Sequence, residues 1–388
     1  MRVVDTVVKR SAGRTTLEPL KSTDFVRVNE RALSAIAEAL AHPDEDLPGR
    51  VLVTRLRALG LIAEGEPTPW VVRDASDVIS VEVEPIGACN LVCGHCFVEL
   101  SGRRMTTDTF EAVLEGAVRL GAVEMSFNGG EPLLHPNILN FIERARDAGL
   151  RVVLYTNGTR VKPEIADRLA AAQLAKVAIS LDGFADAHDS LRGPGTFARA
   201  HEGVRMLTAR GVPVQATIMV HPGNASDIDT FVHTCRAAWG VRWVRLSTVA
   251  PLGRGSSRPD LLPTDELFME HMEPPTCSTI AVPGGLPCLA GIDKLYVGAG
   301  GDVHGCHLFD TAVPLGWLSD RSLWDIYHSP EGPTANVVRA FDPASLTGCA
   351  GCEQLSACKG GCRARAFRTS ADLGAADPVA CRARGVGG

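Results

Sequence analysis

Six short runs rich in β-branched and aromatic residues recur through the middle of the chain: VISVEVEP (78–85), EMSFNG (124–129), RVVLYTN (151–157), KVAISLDG (176–183), PVQATIMV (213–220) and VRWVRLST (241–248). Most are continuous enough in apolar residues to suit strands covered by helices. Between them lie stretches such as DTFEAVLEGAVRLG, HPNILNFIERARDAG and PEIADRLAAAQL, in which apolar residues return every third or fourth position. Several of these end in Gly, a common helix stop. Strand–helix alternation repeated six times predicts an α/β fold with a parallel sheet and crossover helices. Six units fall short of an eight-stranded closed barrel. The choice is between a partial, open (β/α)6 barrel and a doubly wound sheet.

The pattern changes on either side of this core. Residues 1–75 offer two short β candidates, RTTLEPL and DFVRVN, then the helix ERALSAIAEALAH, a turn with Pro and Asp, and a second helix around RVLVTRLRALGLI. That order predicts a small winged-helix-like module. The core then spans 76–255, and the Gly/Pro/Ser-rich stretch APLGRGSSRPDLLP leads into a bridge, 256–276. The remainder, 277–388, is cysteine-rich, loop-rich and poor in helical periodicity. A segment that buries little apolar surface needs another staple, which bound metal clusters supply.

A length of 388 residues suits two or three domains, and 45% hydrophobic residues give each a core. Lys and Arg number 39 against 45 Asp and Glu, for a net charge of -6. No nucleic-acid partner is expected, and no membrane, since both call for a basic face. No apolar run reaches the roughly 18 residues of a membrane span. The opening MRVVDTVVKRSAGRT carries charges where a signal peptide has its apolar stretch, so the expected location is cytoplasmic. Twelve cysteines are too sparse for a disulfide scaffold in a chain this long. In a reducing compartment, clustered thiols point instead to metal ligation or catalysis.

The cysteines are grouped. Cys89, Cys93 and Cys96 fall within eight residues, directly after the first core strand. Three thiolates on one loop suit three irons of a [4Fe–4S] cube and leave the fourth iron open to a substrate or cofactor. Loops after the strands of a βα barrel are also where active sites are built. The alternative is a structural zinc site, but the only added ligand at hand, His95, adjoins Cys96 and is awkwardly placed for the same ion.

The spacing CxxxCxxC, followed by the aromatic Phe97, resembles the radical S-adenosylmethionine (SAM) superfamily. Further matches close successive strands: Asn128-Gly129-Gly130-Glu131-Pro132 after the second, Thr156-Asn157-Gly158 after the third, and Ser180-Leu181-Asp182-Gly183 after the fourth, with His188-Asp189 and Leu191-Arg192-Gly193 beyond. By this resemblance, Gly129, Gly130 and Glu131 correspond to the motif that contacts the SAM amino group. Ser180 and Arg192 are candidates for its ribose and carboxylate, and Asn157 and Asp182 complete the expected SAM-binding set. The implied chemistry is reductive cleavage of SAM to a 5′-deoxyadenosyl radical that takes hydrogen from an unactivated carbon.

The second cysteine region, Cys288-x12-Gly301-x4-Cys306, then Cys349-x2-Cys352-x5-Cys358-x3-Cys362 and finally Cys381, is similar to the seven-cysteine SPASM extension of radical SAM enzymes. That resemblance implies two auxiliary [4Fe–4S] clusters, making three in all. One uses Cys288, Cys306 and Cys362; the other uses Cys349, Cys352, Cys358 and Cys381. Cys277 is the candidate fourth ligand of the first, with hydrogen donation from a free thiol as its alternative role. Cys235 stands apart and reads as a buried small residue. Family members that mature sulfatases carry Asp directly after the second SPASM cysteine. Here that position is His307, which speaks against that activity.

The N-terminal segment resembles the PqqD-like recognition element that binds the leader of a ribosomally made and post-translationally modified peptide (RiPP). Together these likenesses imply a peptide maturase that forms an oxidative C–S or C–C crosslink. A flavodoxin or ferredoxin is the implied reducing partner. Peptide epimerisation and dehydrogenation of a small alcohol or sugar are the rival reactions.

Overall fold

The computed structural model describes residues 6–11, 14–19, 26–28, 30–42, 45, 47, 51–54, 71–74, 78, 80–262, 264, 290–309, 314–331, 342–382 and 384–386. Cys277 and Cys288 lie outside them, so the expectations placed on these two cysteines are untouched by the fold.

The six core strands form where the apolar runs place them. They are β5 (Ser80–Val83), β6 (Glu124–Phe127), β7 (Arg151–Thr156), β8 (Lys176–Ser180), β9 (Val214–Val220) and β10 (Trp243–Thr248). All pair in parallel, in the order β10-β9-β8-β7-β6-β5. Helices return the chain between them: α2 (Thr107–Arg119), α3 (Ile138–Asp147), α4 (Pro163–Ala171), α5 (Ala185–Arg192), α6 (Thr196–Thr208) and α7 (Ile228–Ala237). In α2 the buried residues Phe110, Val113, Leu114 and Ala117 recur at helical spacing, and Thr106 caps the first turn by accepting from the Thr109 amide. Phe110 stacks on Phe141 of α3 with ring centroids 4.1 Å apart. One face of the sheet is closed by this helical layer.

The other face is polar. Residues that alternate with the apolar ones along the strands include Glu82, Glu124, Tyr155, Lys176, Gln215 and Arg245. The pairings Glu124↔Arg151, Val153↔Lys176, Ala178↔Gln215 and Thr217↔Arg245 carry this set across adjacent strands. A parallel sheet is ordinarily apolar on both sides. A charged inner face therefore marks the lining of an open, partial barrel rather than a doubly wound sheet.

The sheet does not end at β5. Strand β11 (Lys294–Val297) adds in parallel on its free side, followed in antiparallel by β12 (Asp302–His304) and β13 (Gly316–Trp317). Nine strands make one sheet, and the apolar cluster of the core runs on into Leu295, Val297, Val303, Leu323 and Ile326. The segment expected as a separate C-terminal unit thus shares its first strands with the core. Helix α8 (Leu323–His328) packs on α2, where Arg119 lies 4.6 Å from the centre of the Trp324 ring. Beyond it come the short helices α9 (Leu355–Cys358), α10 (Arg363–Ser370) and α11 (Pro378–Arg382).

At the N-terminus, β1 (Thr6–Ser11), β2 (Arg14–Pro19), β3 (Val26–Val28) and β4 (Val71–Asp74) form a second sheet, order β3-β2-β1-β4, with α1 (Glu30–Ala41) following β3. Strands β2 and β3 and helix α1 fall on sequence candidates, whereas β1 and β4 were not among them. Among the described residues, no helix is long and apolar enough to cross a membrane.

The contact between α2 and α8 is close enough to test. A Cβ at Gly116 would stand 2.5 Å from the Leu323 Cβ. Gly116→Val is expected to lower the stability by about 2 kcal/mol through overpacking, read as a shift of the anaerobic denaturation midpoint.

Candidate active site at the carboxyl ends of the strands

The loop Cys89–Cys96 has no helix or strand of its own. It leaves β5 at the carboxyl end of the barrel, and the chain ends of four other elements hold it. The Glu131 amide, beyond β6, donates to the Ala88 carbonyl at 2.8 Å; the Gly94 amide donates to Leu191 of α5 at 2.9 Å. After β10, Arg254 donates from its amide to the Cys96 carbonyl and from Nε to the Cys93 carbonyl, both at 2.9 Å. Beyond β7, Asn157 Nδ2 donates to Asn90 Oδ1 at 3.0 Å and reaches Cys89 Sγ at 3.9 Å. A Cβ on Gly130 would run into the Ala88 carbonyl, so glycine lets the loop lie directly on the end of β6.

Glu131 is fully buried and its carboxylate is completely engaged. Oε1 accepts from the Leu133 amide at 3.0 Å and from the Thr156 hydroxyl at 2.7 Å, and Oε2 accepts from the Asn157 amide at 2.8 Å. Burial raises its pKa, with these donors pulling the other way. The side chain clamps the end of β6 to the end of β7. Asn128, by contrast, holds a buried Oδ1 with no partner among the described residues. Gly129 lies between them, and Ser180 ends β8 half-buried.

Asp182 and Arg192 form a buried ion pair through Oδ2 and Nε. The other Asp182 oxygen accepts from the Met219 amide at 2.8 Å. Arg192 turns Nη1 toward Cys93 Sγ at 3.9 Å and Nη2 toward His95 Nε2 at 3.5 Å. Burial, followed by the Arg192 charge, drives the His95 pKa down to about 4, so its ring is neutral near pH 7. Asp182 itself is completely enclosed and presents nothing outward.

The cysteine thiols of the loop lie within electrostatic reach of one another. Burial raises the pKa of Cys89 and Cys93, opposed by the Leu91 amide at Cys89 and by the Arg192 charge at Cys93, with the neighbouring thiols adding to the rise. Among the described residues, no three Cys, His, Asp or Glu side chains converge tightly enough to hold a single ion. Three free thiols on one loop, with the Arg192 guanidinium and the neutral His95 ring next to them, fit the ligand chemistry of an iron–sulfur cube.

Residues 83–235 match the model of the radical SAM superfamily, and residues 288–353 match that of the SPASM iron–sulfur cluster-binding domain. The chain belongs to the radical SAM superfamily. It is similar to mycofactocin maturase MftC of Mycobacterium tuberculosis, 29% identical over 320 residues, which span 75% of this chain and 80% of that one. It is equally similar to AdoMet-dependent heme synthase of Methanosarcina barkeri, 29% identical over 330 residues, with 74% of this chain and 92% of that one covered. The fold is shared with Streptococcus suis SuiB bound to its precursor peptide SuiA, with a TM-score of 0.69 over 98% of this chain and 100% of that one, at 14% identity.

A radical SAM domain implies SAM and a [4Fe–4S] cluster, and a SPASM domain implies further iron–sulfur clusters. In the SPASM region the described cysteines fall into two groups. Cys349, Cys352, Cys358 and Cys381 interact electrostatically with one another, and Cys306 interacts with Cys362. Helix α10 starts directly after Cys362, whose amide donates to Asp377 at 2.7 Å. Asp377 is paired with Arg365 at 2.6 Å. Among the described residues every cysteine is free of disulfide bonds, and Cys235 is wholly buried in the apolar core, with its thiol pushed up to about 12.

Two links between the cluster regions were invisible in the sequence. Arg368 of α10 donates to the Phe97 carbonyl at 3.0 Å. His307 lies with its ring 6.0 Å from that of Phe97 and is bonded to Glu82 of β5 at 2.7 Å. Burial alone would raise the Glu82 pKa, but His307 and then Lys294 outweigh it and hold the carboxyl at about 2.

Glu82 therefore adds stability that is present above its ordinary value of 4.5 and lost as the pH falls toward about 2. Glu82→Gln is expected to be less stable than wild type by on the order of 3 kcal/mol just above that window. The difference should close as the pH is lowered, as followed by denaturant titration. Glu131→Ala strands three donors and is expected to cost about 3 kcal/mol at neutral pH in the same assay.

Proposed function

We propose that this radical SAM enzyme modifies a ribosomally made precursor peptide, forming an oxidative C–S or C–C crosslink. The observation that carries the reading is the pair of thiol-rich regions linked to one barrel mouth through Phe97, His307 and Arg368. A net oxidation needs somewhere for the second electron to go, and auxiliary clusters beside the site provide it. The peptide substrate is supported by likeness to a mycofactocin maturase and to SuiB with its bound precursor peptide.

We assign the SAM-binding [4Fe–4S] cluster to Cys89, Cys93 and Cys96. Two auxiliary [4Fe–4S] clusters fall to Cys277, Cys288, Cys306 and Cys362 and to Cys349, Cys352, Cys358 and Cys381. When bound and reduced, the first cluster and SAM supply a carbon-centred radical able to take hydrogen from an unactivated carbon. The chain's own part is placement. Gly129, Gly130, Asn157 and Ser180 offer backbone and polar groups for SAM at the ends of β6, β7 and β8, and Glu131 fixes those ends against each other. The polar inner face receives the segment to be modified and keeps it from bulk water. Among the described residues, β3 and β4 are the edge strands of the N-terminal sheet, and an edge strand is where a PqqD-like module would take a leader as an added strand. Flavodoxin or ferredoxin supplies the electron.

Reduced, anaerobic protein with SAM is expected to release 5′-deoxyadenosine, and Cys93→Ala to abolish release together with part of the bound iron. A search of the flanking DNA for a short open reading frame would supply the candidate precursor, and co-expression with it should yield a product lighter by a pair of hydrogens per event. An unchanged mass with inverted stereochemistry would replace crosslinking by epimerisation. Deleting residues 1–75 should lower peptide turnover by about tenfold, or about 1.4 kcal/mol in transition-state binding, while sparing SAM cleavage. Undiminished peptide turnover after that deletion would overturn leader recognition by this segment. A Cys277→Ala variant that keeps all its iron but loses turnover would assign that thiol to hydrogen donation.

A further inference from the structure

We propose that the substrate segment entering the barrel carries a carboxylate, which Arg245 and Lys176 hold on the polar inner face. The inference rests on the peptide-maturase reading above and narrows its substrate. The anion that an unmodified peptide offers is a carboxylate, from Asp, from Glu or from its C-terminus.

The observation is a surplus of positive charge on a face where the other charges pair off. Glu124 is taken up by Arg151, which reaches one carboxylate oxygen from Nε at 2.9 Å and from Nη2 at 2.8 Å. Glu82 is taken up by His307 at 2.7 Å, with Lys294 at 3.9 Å. Two cations remain. Lys176 Nζ donates at 2.9 Å to Gln215 Oε1, which is a neutral acceptor. Arg245 is exposed, and among the described residues no carboxylate lies within ion-pair distance of it.

Their placement is specific. Ser180, Thr217 and Arg245 fall in register across β8, β9 and β10, so Arg245 shares a face and a level with the candidate SAM contact that ends β8. Gln215 donates from Nε2 to Thr217 Oγ1 at 3.2 Å, which continues the polar row from Lys176 toward Arg245. Strand β10 is the outermost of the described sheet, yet the Arg245 charge is felt at Lys176 and at the Tyr155 phenol, two and three strands away. The guanidinium therefore reaches inward from the open side of the barrel.

The electrostatics point the same way. The Lys176 pKa is lowered, first by burial and then, against the pull of Glu124, by Arg245 and Arg151. Like charges held near one another without a counterion oppose each other's ionisation. A carboxylate within reach of both reverses that repulsion, and the planar fork of a guanidinium matches its two oxygens. Once it is seated, Arg245 and Lys176 have the opposite charge that their neighbours on this face already have.

The test uses the reconstituted holoenzyme and synthetic forms of the candidate precursor found in the flanking DNA. These are the unaltered peptide, forms with each Asp and Glu changed singly to Asn or Gln, and one with an amidated C-terminus. One neutralised form is expected to lose about tenfold in kcat/KM, or about 1.4 kcal/mol, chiefly through KM. A side-chain form identifies the source as Asp or Glu, and the amidated form identifies it as the C-terminus. Arg245→Met should lose about as much with the unaltered peptide and little more with that neutralised form, because the partners are already separated. Lys176→Met should show the same coupling, and Arg245→Lys should fall between Arg245→Met and wild type. Equal turnover of every peptide form overturns the inference. So does an Arg245→Met loss that adds in full to each peptide loss, since a merely structural role would not depend on the carboxylate. An enzyme that cleaves SAM but modifies none of the forms removes the peptide reading, and the inference falls with it.

Discussion

A loop of eight residues without regular structure cannot fix three thiols by itself, because too few of its backbone groups are paired internally. The Cys89–Cys96 loop takes its shape from hydrogen bonds lent by the ends of other elements: the Glu131 amide, the Leu191 carbonyl, the two donors of Arg254 and the Asn157 amide group. Those ends are themselves set by the parallel sheet, whose core of buried Val, Ile, Leu and Phe gives them a rigid base. The placement of the thiols is thus the last step in a hierarchy that begins with helix-on-sheet packing. Buried polar groups reinforce it, since each is costly to leave unpaired and so admits few alternative arrangements.

The polar inner face has a different logic. Glu82 with His307 and Lys294, Glu124 with Arg151, and Lys176 with Gln215 are paired within the sheet or across to the SPASM segment. These groups are partnered within the protein before any substrate enters. A chamber lined in this way can enclose a radical without offering it loosely held polar side chains. Because His307 sits next to Cys306 and against Phe97, one side chain touches β5, the SPASM turn and the residue after the first cysteine cluster.

Much of this was legible in the sequence, for physical reasons that can be named. Strands buried under helices need continuous apolar runs, and those runs marked β5 to β10 to within a few residues. The spacing of Cys89, Cys93 and Cys96 was legible because these thiols share one short loop. What stayed hidden were partnerships across long stretches of chain. The pairing of β11 with β5 leaves no periodic trace, and neither does Arg254 reaching Cys93, Arg368 reaching Phe97 or Asn224 bracing Asp182. Strands β1 and β4 were missed because four- and six-residue segments of mixed polarity look like any loop until their partner is known. The fates of Glu131 and Asp182 were also beyond the motif. A motif names which carboxylates matter, and burial decides whether they face a ligand or brace their neighbours.

The parallel pairing of β5 with β11 has a consequence for how the protein is made. Strand β5 is completed at Val83, but its second neighbour begins only at Lys294. At typical rates of synthesis the intervening chain takes roughly ten to forty seconds to emerge. Throughout that interval the nascent barrel exposes an open strand edge beside the first three cysteines, the kind of surface on which chains pair with the wrong partner. Translation order therefore leaves that side of the barrel open until the SPASM strand arrives, and makes the same interval the hazardous one for aggregation.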